Sequence, residues 1–435
     1  MELIEKLFKL KEANTTLRRE LMAGLTGFIT VAYVLFVVPA MLADAGMPRA
    51  DATVAVIWVT AFACLVMGFY ANFPVIVAPG LGIVAFFSYY VCGPMGLSWQ
   101  AGLAAVFISG VIFLLLTVFK IRELIIRAVP LDLKYAIVVG LGCFIAFIGM
   151  KNAGVIVADP ATFVGFGNMR TAEPLLACLG VIIISALMAR NVRGAMMIGI
   201  VIVTVLGIAL GVTPLPDMSQ LSTIKLLPTA TFMQLDFAAI FSYGIVTIVF
   251  TLTMVDLFDN MGTLIGLSQR AGLLNMKTGH VSGLNKALLS DSVATMSAAV
   301  VGTPTATSYV ESAAAIAEGG RTGIVPVVTA VLFLACLFLL PLVNIVPAYA
   351  TASALIVVGA LMMQSVRHIH FDDFTICLPA FLTILTMPLT FNVATGFGLG
   401  FISYVVLSLI TGKAHRLDLV GMLIAVAFAV NFCMR

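Results

Sequence analysis

The sequence predicts an all-α polytopic membrane protein whose fourteen transmembrane helices form two inverted repeats of seven, with the third and tenth helices broken. The 435 residues are 62% hydrophobic and only 10% charged, which is far more apolar than a water-soluble domain. Apolar runs long enough to cross a bilayer recur from residue 20 to the C-terminus. Two of these runs, the third in each half, open with residues that break helices.

The apolar windows place seven helices in each half of the chain, with polar connectors between them. The windows of the first half are 20–43, 52–72, 74–93, 100–120, 131–150, 174–189 and 194–212. Those of the second half are 239–267, 284–302, 304–318, 322–343, 347–365, 372–389 and 393–411. The last apolar run, 417–433, is short and contains Asp418. This run is therefore either a fifteenth span or a segment that lies against the membrane.

The odd number of helices in each half requires the two halves to enter the bilayer from opposite sides, which makes them an inverted repeat. With a cytoplasmic N-terminus, eighteen Lys and Arg residues fall on the inner side and four on the outer side. This positive-inside bias supports that orientation. The predicted division is a cytoplasmic N-terminal segment (1–19), a first repeat (20–212), an extracytoplasmic connector (213–237), a second repeat (238–411) and a C-terminal segment of open topology (412–435).

The third segment of each half begins with helix-breaking residues: Pro74, Pro79 and Gly80 in the first half, and Pro304 after Gly302-Thr303 in the second. A single kink of this kind is common in membrane helices, but two at matching positions favour half-helices that end near the bilayer midplane. Backbone N–H groups at such ends could meet a polar ligand inside a protein-lined cavity. The candidate contacts are Ala78, Gly80 and Leu81 in the third segment and Thr305, Ala306 and Thr307 in the tenth.

Three carboxylates fall inside predicted spans of the second half: Asp256, Asp259 and Glu311. Each costs roughly 2.5 to 3.5 kcal/mol at the centre of a spanning helix, so each requires a cavity, a partner or a proton. Asp256 and Asp259 share one helix face, and Glu311 is expected about two turns into the tenth segment. The Lys and Arg residues lie in connectors or toward the ends of the predicted spans, so none is expected to pair with these acids. All three acids are candidates for proton coupling, and for Asp256 a structural hydrogen bond to a neighbouring helix is the alternative.

The sequence lacks the motifs that several other classes of protein require. The chain has no His-Glu-x-x-His motif and no Gly-rich phosphate loop, and its four histidines fall in predicted connectors. The seven cysteines are scattered singly, mostly in apolar segments. The net charge is +3 without a basic surface. We therefore expect neither an enzyme nor a nucleic-acid-binding protein, and no metal or cofactor.

Several motifs of the chain resemble those of the AzgA-like purine nucleobase permeases, over nearly its whole length. The motifs are Ala78-Pro-Gly-Leu-Gly82, Lys151-Asn-Ala-Gly-Val-Ile-Val157, Asp256-Leu-Phe-Asp259 with Gly262-Thr263, Tyr309-Val-Glu311-Ser312 and the highly specific Glu318-Gly-Gly-Arg-Thr-Gly323. The chain departs from the family pattern at Val38 and Val84, where many members carry Asn.

The resemblance implies the fold of the nucleobase and ascorbate transporters, with a core domain (helices 1–4 and 8–11) and a gate domain (helices 5–7 and 12–14). It also implies proton-coupled uptake of adenine, guanine or hypoxanthine across a bacterial inner membrane. The base would bind between the third and tenth helices, against Asp259, Glu311 and Thr263. Expected partners are the purine, a proton and membrane lipid. Another nucleobase or a small anion as substrate, a passive channel and a homo-oligomer stay open as alternatives.

Overall fold

The computed structural model describes most of the chain as helices. The described residues are 2–119, 121, 125, 128–214, 225–242, 245–273, 281, 283–343 and 345–433. The side chains of some helical residues, that of Asp259 among them, also lie outside the described part. Ten residues of the predicted connector, 215–224, lie outside it as well.

Nine helices and three strands precede that connector within the described residues. Turns of π-helix extend α4 to Ala71 and α5 to Val91. The helices are α1 (Glu2–Phe8), α2 (Leu17–Val31), α3 (Val34–Asp44), α4 (Arg49–Val66), α5 (Leu81–Phe86), α6 (Trp99–Val118), α7 (Leu131–Asn152), α8 (Ala172–Ala189) and α9 (Ala195–Ala209). The strands are β1 (Val77–Pro79), β2 (Ile156–Asp159) and β3 (Phe163–Phe166).

Ten helices and one strand follow the connector in the described part of the chain. The helices are α10 (Phe237–Ser242), α11 (Ile245–Arg270), α12 (Leu284–Val301), α13 (Ser312–Ala317), α14 (Ile324–Ala335), α15 (Leu340–Val343), α16 (Ala348–Met363), α17 (Phe374–Thr390), α18 (Val393–Ile410) and α19 (Leu419–Cys433). The strand is β4 (Ala306–Ser308). Turns of 3-10 helix follow α14 and extend α16 to His368.

Within the described residues, eight helical stretches are long and apolar enough to cross a membrane, and five further apolar helices are shorter. This confirms the prediction of a helical, polytopic membrane protein. The last apolar run forms a helix of 15 residues, α19. Asp291, which lies near the start of predicted window 284–302, is fully buried in the middle of α12.

The prediction of an all-α chain is wrong in one respect, because the described part contains two small antiparallel sheets. Strand β1 pairs with β4, with Val77 opposite Ser308, Ala78 opposite Thr307 and Pro79 opposite Ala306. Strands β2 and β3 form a hairpin. Each strand has only three or four residues, too few to give a recognisable alternating pattern among apolar neighbours.

The long helices pack as two groups. The first group consists of α2, α3, α4, α6, α11, α12, α13 and α14, with α12 against α6 and α14 against α2 and α4. The second group consists of α7, α8, α9, α16, α17 and α18, in which α7 packs against α16 and α17. Short residues permit close approach within the second group: a Cβ atom built on Gly142 of α7 would lie 2.9 Å from the carbonyl oxygen of Gly359 in α16. The strands β1 and β4 and the helix α5 lie where the two groups meet.

Candidate functional site

The third and tenth predicted segments are interrupted, as expected, but the interruption is a strand pair. In each segment a strand of three residues, β1 or β4, precedes a helix of six, α5 or α13. Both strands are completely buried. A strand inside a membrane protein needs partners for its backbone groups, because lipid offers none. Here part of the backbone hydrogen bonding of each strand is made with the other strand.

Side chains form hydrogen bonds with backbone groups in and next to β1. The Sγ atom of Cys64 lies 3.2 Å from the carbonyl oxygen and 3.4 Å from the amide nitrogen of Val77. The Oγ atom of Ser312 accepts a hydrogen bond of 2.9 Å from the amide of Ile76. The hydroxyl of Tyr309 donates to the carbonyl oxygen of Pro79 at 2.5 Å. These bonds fix the interrupted backbone in one conformation.

Strand β4 is held in the same way. Thr295 of α12 donates to the carbonyl oxygen of Ala306 at 3.3 Å, and the Oδ1 atom of Asn260 in α11 accepts from the amide of Ser308 at 3.3 Å. Both side chains are fully buried. Hydrogen bonds therefore hold the paired strands to α11 and α12. We call the pair of strands the β1–β4 floor.

A cavity of about 330 Å³ lies beside this floor, between the two helical groups. Its volume is at the lower end of the range of about 300–1,000 Å³ that is typical of small-molecule sites. The described residues that line it are Tyr33, Gly80, Leu81, Gly82, Val138, Ile145, Thr263, Arg270, Thr307, Ser308, Tyr309, Val310, Glu311, Val358, Leu361, Met362, Gln364 and Ser365. The lining thus combines apolar and aromatic surface with a few polar groups, which suits a flat, partly polar molecule.

Glu311 is the carboxylate among the described residues that line the cavity. It was expected about two turns into a half-helix, but it is the N-cap residue of α13. Its side chain does not cap that helix; instead, Oε1 accepts a hydrogen bond of 2.7 Å from the hydroxyl of Tyr33. Tyr33 is fully buried at the break between α2 and α3. The carboxylate is therefore directed into the cavity by a residue from the other half of the chain.

Helix α11 presents one face to the cavity. Thr263 and Arg270 line it and are seven residues apart, which places them on the same side of a helix. Asp259 precedes Thr263 by four residues and shares that face by spacing, although its side chain lies outside the described part. Arg270 lies beyond predicted window 239–267, but it ends α11 and brings a cationic side chain to the cavity that Glu311 also lines.

The other candidate residues are buried beside the cavity. Asp256 is fully buried, and its Oδ2 atom lies 3.5 Å from the hydroxyl of Thr295 in α12, whose single hydrogen is shared with the carbonyl oxygen of Ala306. Ala78, Thr305 and Ala306 are fully buried in or next to the strands. They do not begin a half-helix as expected, and they are not among the described residues that line the cavity.

At the third segment, one backbone N–H group that was expected to be free is paired. The amide of Gly80 donates to the carbonyl oxygen of Thr305 at 3.3 Å. What Gly80 contributes is close approach: a Cβ atom at this position would lie 2.5 Å from Oγ1 of Thr307. Sequence reasoning missed Tyr33, Ser308 and Tyr309 as lining residues. Ser308 could have been found, since it extends the Thr-rich run, whereas nothing near Tyr33 in sequence points to Glu311.

The Glu318–Gly323 motif anchors α13 rather than lining the cavity. The buried carboxylate of Glu20 in α2 accepts bonds from the amide of Arg321 at 2.8 Å and from the hydroxyl of Thr322 at 2.9 Å. The amide of Gly323 donates to Oδ1 of Asn72 at 2.7 Å. Glu318 forms an ion pair with Arg193 of the second group. These contacts hold the end of α13, and so indirectly Glu311, against α2 and α4.

A cavity with a few polar groups, beside two interrupted segments of a polytopic helical bundle, is the arrangement typical of secondary transporters. The model of the Permease family matches residues 18–399 of this chain. The chain belongs to this family, and its relatives confirm the resemblance to AzgA-like nucleobase permeases. They also confirm that it is a permease and not an enzyme.

Two relatives illustrate the match. The adenine permease AdeP of Escherichia coli is 40% identical over 431 residues, which cover 99% of this chain and 96% of that protein. The guanine/hypoxanthine permease PbuG of Bacillus subtilis is 39% identical over 439 residues, which cover 99% of both proteins. Both matches extend over all the elements described above.

The fold is also similar to that of a solved structure with little sequence identity. The transmembrane domain of the cyanobacterial bicarbonate transporter BicA aligns with a TM-score of 0.64 at 17% identity and covers 88% of this chain and 97% of that domain. At this identity the likeness shows the fold alone.

Proposed function

We propose that this protein is a proton-coupled purine nucleobase symporter that works by alternating access in a bacterial inner membrane. The proposal includes adenine, guanine or hypoxanthine as substrate, a cytoplasmic N-terminus and fourteen helices in two inverted repeats. The observation that carries it is the cavity beside the β1–β4 floor, which places Glu311 next to aromatic and hydroxyl side chains. The names of the relatives, an adenine permease and a guanine/hypoxanthine permease, support the same substrate class.

The chemistry of the cavity suits a purine. A purine is flat and carries ring N–H donors together with nitrogen and carbonyl acceptors. The Glu311 carboxylate could accept from a ring N–H group, and the hydroxyl groups of Thr263 and Ser308 could donate or accept. Within the described structure the buried Oγ atom of Ser308 has no hydrogen-bond partner. Leu81, Val358 and Met362 offer apolar surface to the ring faces. In this proposal Asp259 contacts the base from α11.

The two helical groups support the division into core and gate. The first group corresponds to the predicted core helices and the second to the predicted gate helices. The cavity lies at their junction, with Tyr33, Thr307 and Glu311 from the first group and Val138, Val358 and Met362 from the second. Relative movement of the groups would expose the cavity alternately to the two sides of the membrane. Val38 and Val84 are fully buried and are not among the described lining residues, so we assign neither a substrate contact.

Glu311 is proposed to carry the coupled proton together with Asp259. Replacing Glu311 with Gln keeps an oxygen that can accept from Tyr33 but removes the group that can ionise. We therefore expect Glu311→Gln to bind purine and to exchange it across the membrane, because exchange needs no net proton movement. The same variant should lose concentrative uptake by at least about tenfold, since accumulation needs the proton gradient.

The test is uptake of radiolabelled adenine, guanine and hypoxanthine in cells that lack their own permeases, with and without a protonophore. Binding and counterflow are measured on the same variants. Glu12→Gln, at an exposed position near the N-terminus, is the matched control and should behave as the unmodified protein. Full proton-driven uptake by Glu311→Gln would remove the proton role, and loss of purine binding would make Glu311 chiefly a substrate contact. Absence of uptake of all three purines by the unmodified protein would refute the proposed function.

A further inference from the structure

A second cavity, of about 500 Å³, lies away from the first, and the Lys151-Asn152 motif borders it. Tyr89 donates to Oδ2 of Asp44 at 2.6 Å and accepts from Nδ2 of Asn152 at 2.8 Å. The Nζ atom of Lys151 lies 5.4 Å from the centre of the Tyr89 ring and 5.7 Å from that of Phe391. Contacts of this length between an ammonium and a ring are attractive. We call Asp44, Tyr89, Lys151 and Asn152 the Tyr89 clasp.

The two cavities border different parts of α7. Helices α7 and α16 run antiparallel, because Gly142 lies against Gly359 while Gly149 lies against Ala352. The first cavity is bordered by Val138 and Ile145 of α7 and by Gln364 just beyond the end of α16. The second is bordered by Lys151 and Asn152 at the end of α7. Residues 138 and 151 are separated by about 20 Å along a helix, so the Tyr89 clasp stands at the far end from the mouth of the first cavity.

An aromatic cluster packs against the face of α7 that carries Lys151. The ring of Phe391 lies 5.9 Å from that of Phe144 and 5.2 Å from that of Phe147. Phe391 joins α17 to α18 with a φ angle of +51°. A bulky residue in this region is strained and persists only where its surroundings fix it. The surroundings of Phe391 therefore fix its ring beside the ammonium group of Lys151.

The clasp joins the two helical groups. Asp44 and Tyr89 belong to α3 and to the extension of α5, which pack with the first group, whereas Lys151 and Asn152 end α7 of the second group. The hydrogen bond from Asn152 to Tyr89 and the contact of Lys151 with the Tyr89 ring cross the junction, and Asp44 holds the Tyr89 hydroxyl from the first group. This mutual pairing favours a closed contact over a binding site that awaits a ligand, since a ligand would first have to break these bonds.

We propose that the Tyr89 clasp is the closure of the transport path at the Lys151 end, and that it must open before the first cavity can communicate with that side. The proposal rests on the alternating access proposed above. It gives the Lys151-Asn152 motif a role in holding the state seen here, in which the first cavity reaches toward Arg270 and Gln364. The substrate would pass this end of the path only after Tyr89 has left Asn152.

The test measures access to the first cavity from the Lys151 side. A cysteine replaces Leu361, a half-buried lining residue, and an impermeant thiol reagent is added to right-side-out vesicles; the labelling of the same protein without this cysteine is subtracted. Tyr89→Phe removes the hydroxyl that joins Asp44 to Asn152 and keeps the ring. Because one net hydrogen bond corresponds to about fivefold in an equilibrium constant, we expect labelling to rise by about fivefold or more in Tyr89→Phe and by about fivefold in Asn152→Ala.

Tyr70→Phe, at an exposed position outside the clasp, is the matched control and should leave the rate unchanged. Two separate clasp variants are included so that poor folding of one does not prevent a decision, and thermal unfolding in detergent reports that each protein is folded. Unchanged labelling from the Lys151 side in the folded clasp variants would overturn the proposal. Adenine uptake is a separate readout, so failure of the proposed function and failure of the clasp are distinguishable.

Discussion

The two small sheets of this protein differ in almost every physical respect. Strands β1 and β4 come from opposite halves of the chain, are completely buried and have side-chain partners at their edges. Strands β2 and β3 are neighbours in sequence and form an exposed hairpin, in which Phe163 is 84% exposed. One sheet supports the cavity, whereas the other joins two helices.

The hairpin is stabilised locally. The carboxylate of Asp159 accepts hydrogen bonds from the amides of Thr162 at 2.9 Å and Ala161 at 2.8 Å, and from the hydroxyl of Thr162. These bonds, led by that from the Thr162 amide, lower the pKa of Asp159. The comparison teaches that a turn in water can depend on its own residues, while a strand in the membrane interior depends on distant parts of the chain for its backbone partners.

The largest difference should appear when a methyl group is added beside each sheet. A Cβ atom at Gly80 would lie 2.5 Å from Oγ1 of Thr307, whereas one at Gly165 in β3 would lie 3.3 Å from Cβ of Asp159. Overpacking of a rigid site costs about 1–3 kcal/mol. We therefore expect Gly80→Ala to weaken purine binding by about tenfold and Gly165→Ala to leave it unchanged.

Equilibrium binding of radiolabelled purine and thermal unfolding in detergent check this pair. Normal purine affinity with a lowered unfolding temperature in Gly80→Ala would mean that the glycine serves packing alone.

A smaller effect is expected from one edge partner. Ser312→Ala removes the hydroxyl that accepts from the amide of Ile76 and leaves a buried N–H group without that bond. The cost of such a group is about 1–3 kcal/mol, so the unfolding temperature should fall measurably. Thr162→Ala in the exposed turn should change it little, because water replaces the lost bond. Equal shifts in the two variants would contradict the distinction between the sheets.

The smallest effect is expected for Asp159→Ala. Removing the turn acceptor should speed amide hydrogen exchange in residues 156–166 and leave purine uptake unchanged. Because the folded-state pKa of Asp159 is lowered, its stabilising contribution is present above the unfolded value of about 3.9 and is lost as the pH falls through the lower folded value. A defect in uptake would show that the hairpin takes part in transport.

Part of the candidate site was predictable from sequence. Pro and Gly mark the interrupted third and tenth segments, and Glu311, Thr263, Gly80, Leu81 and Thr307 were predicted and line the cavity. The strand pair was not predictable, because the pairing of Ala78 with Thr307 depends on contacts between opposite halves of the chain. The sequence of the hairpin contains a local turn signal, Asp159 followed by Pro160. This part of the chain was predicted only as a connector between helices.

Hydrophobicity and residue types determined the class of this protein by themselves. Long apolar runs exclude a soluble fold, and the breaks within two of them locate the irregular backbone, because both follow from local chemistry. Only the tertiary structure decided that Glu311 bonds to Tyr33, that Arg270 reaches the cavity and that Tyr89 joins Asp44 to Asn152. Each of these contacts is set by how helices from distant parts of the chain pack, and a uniformly apolar pattern leaves that packing undetermined.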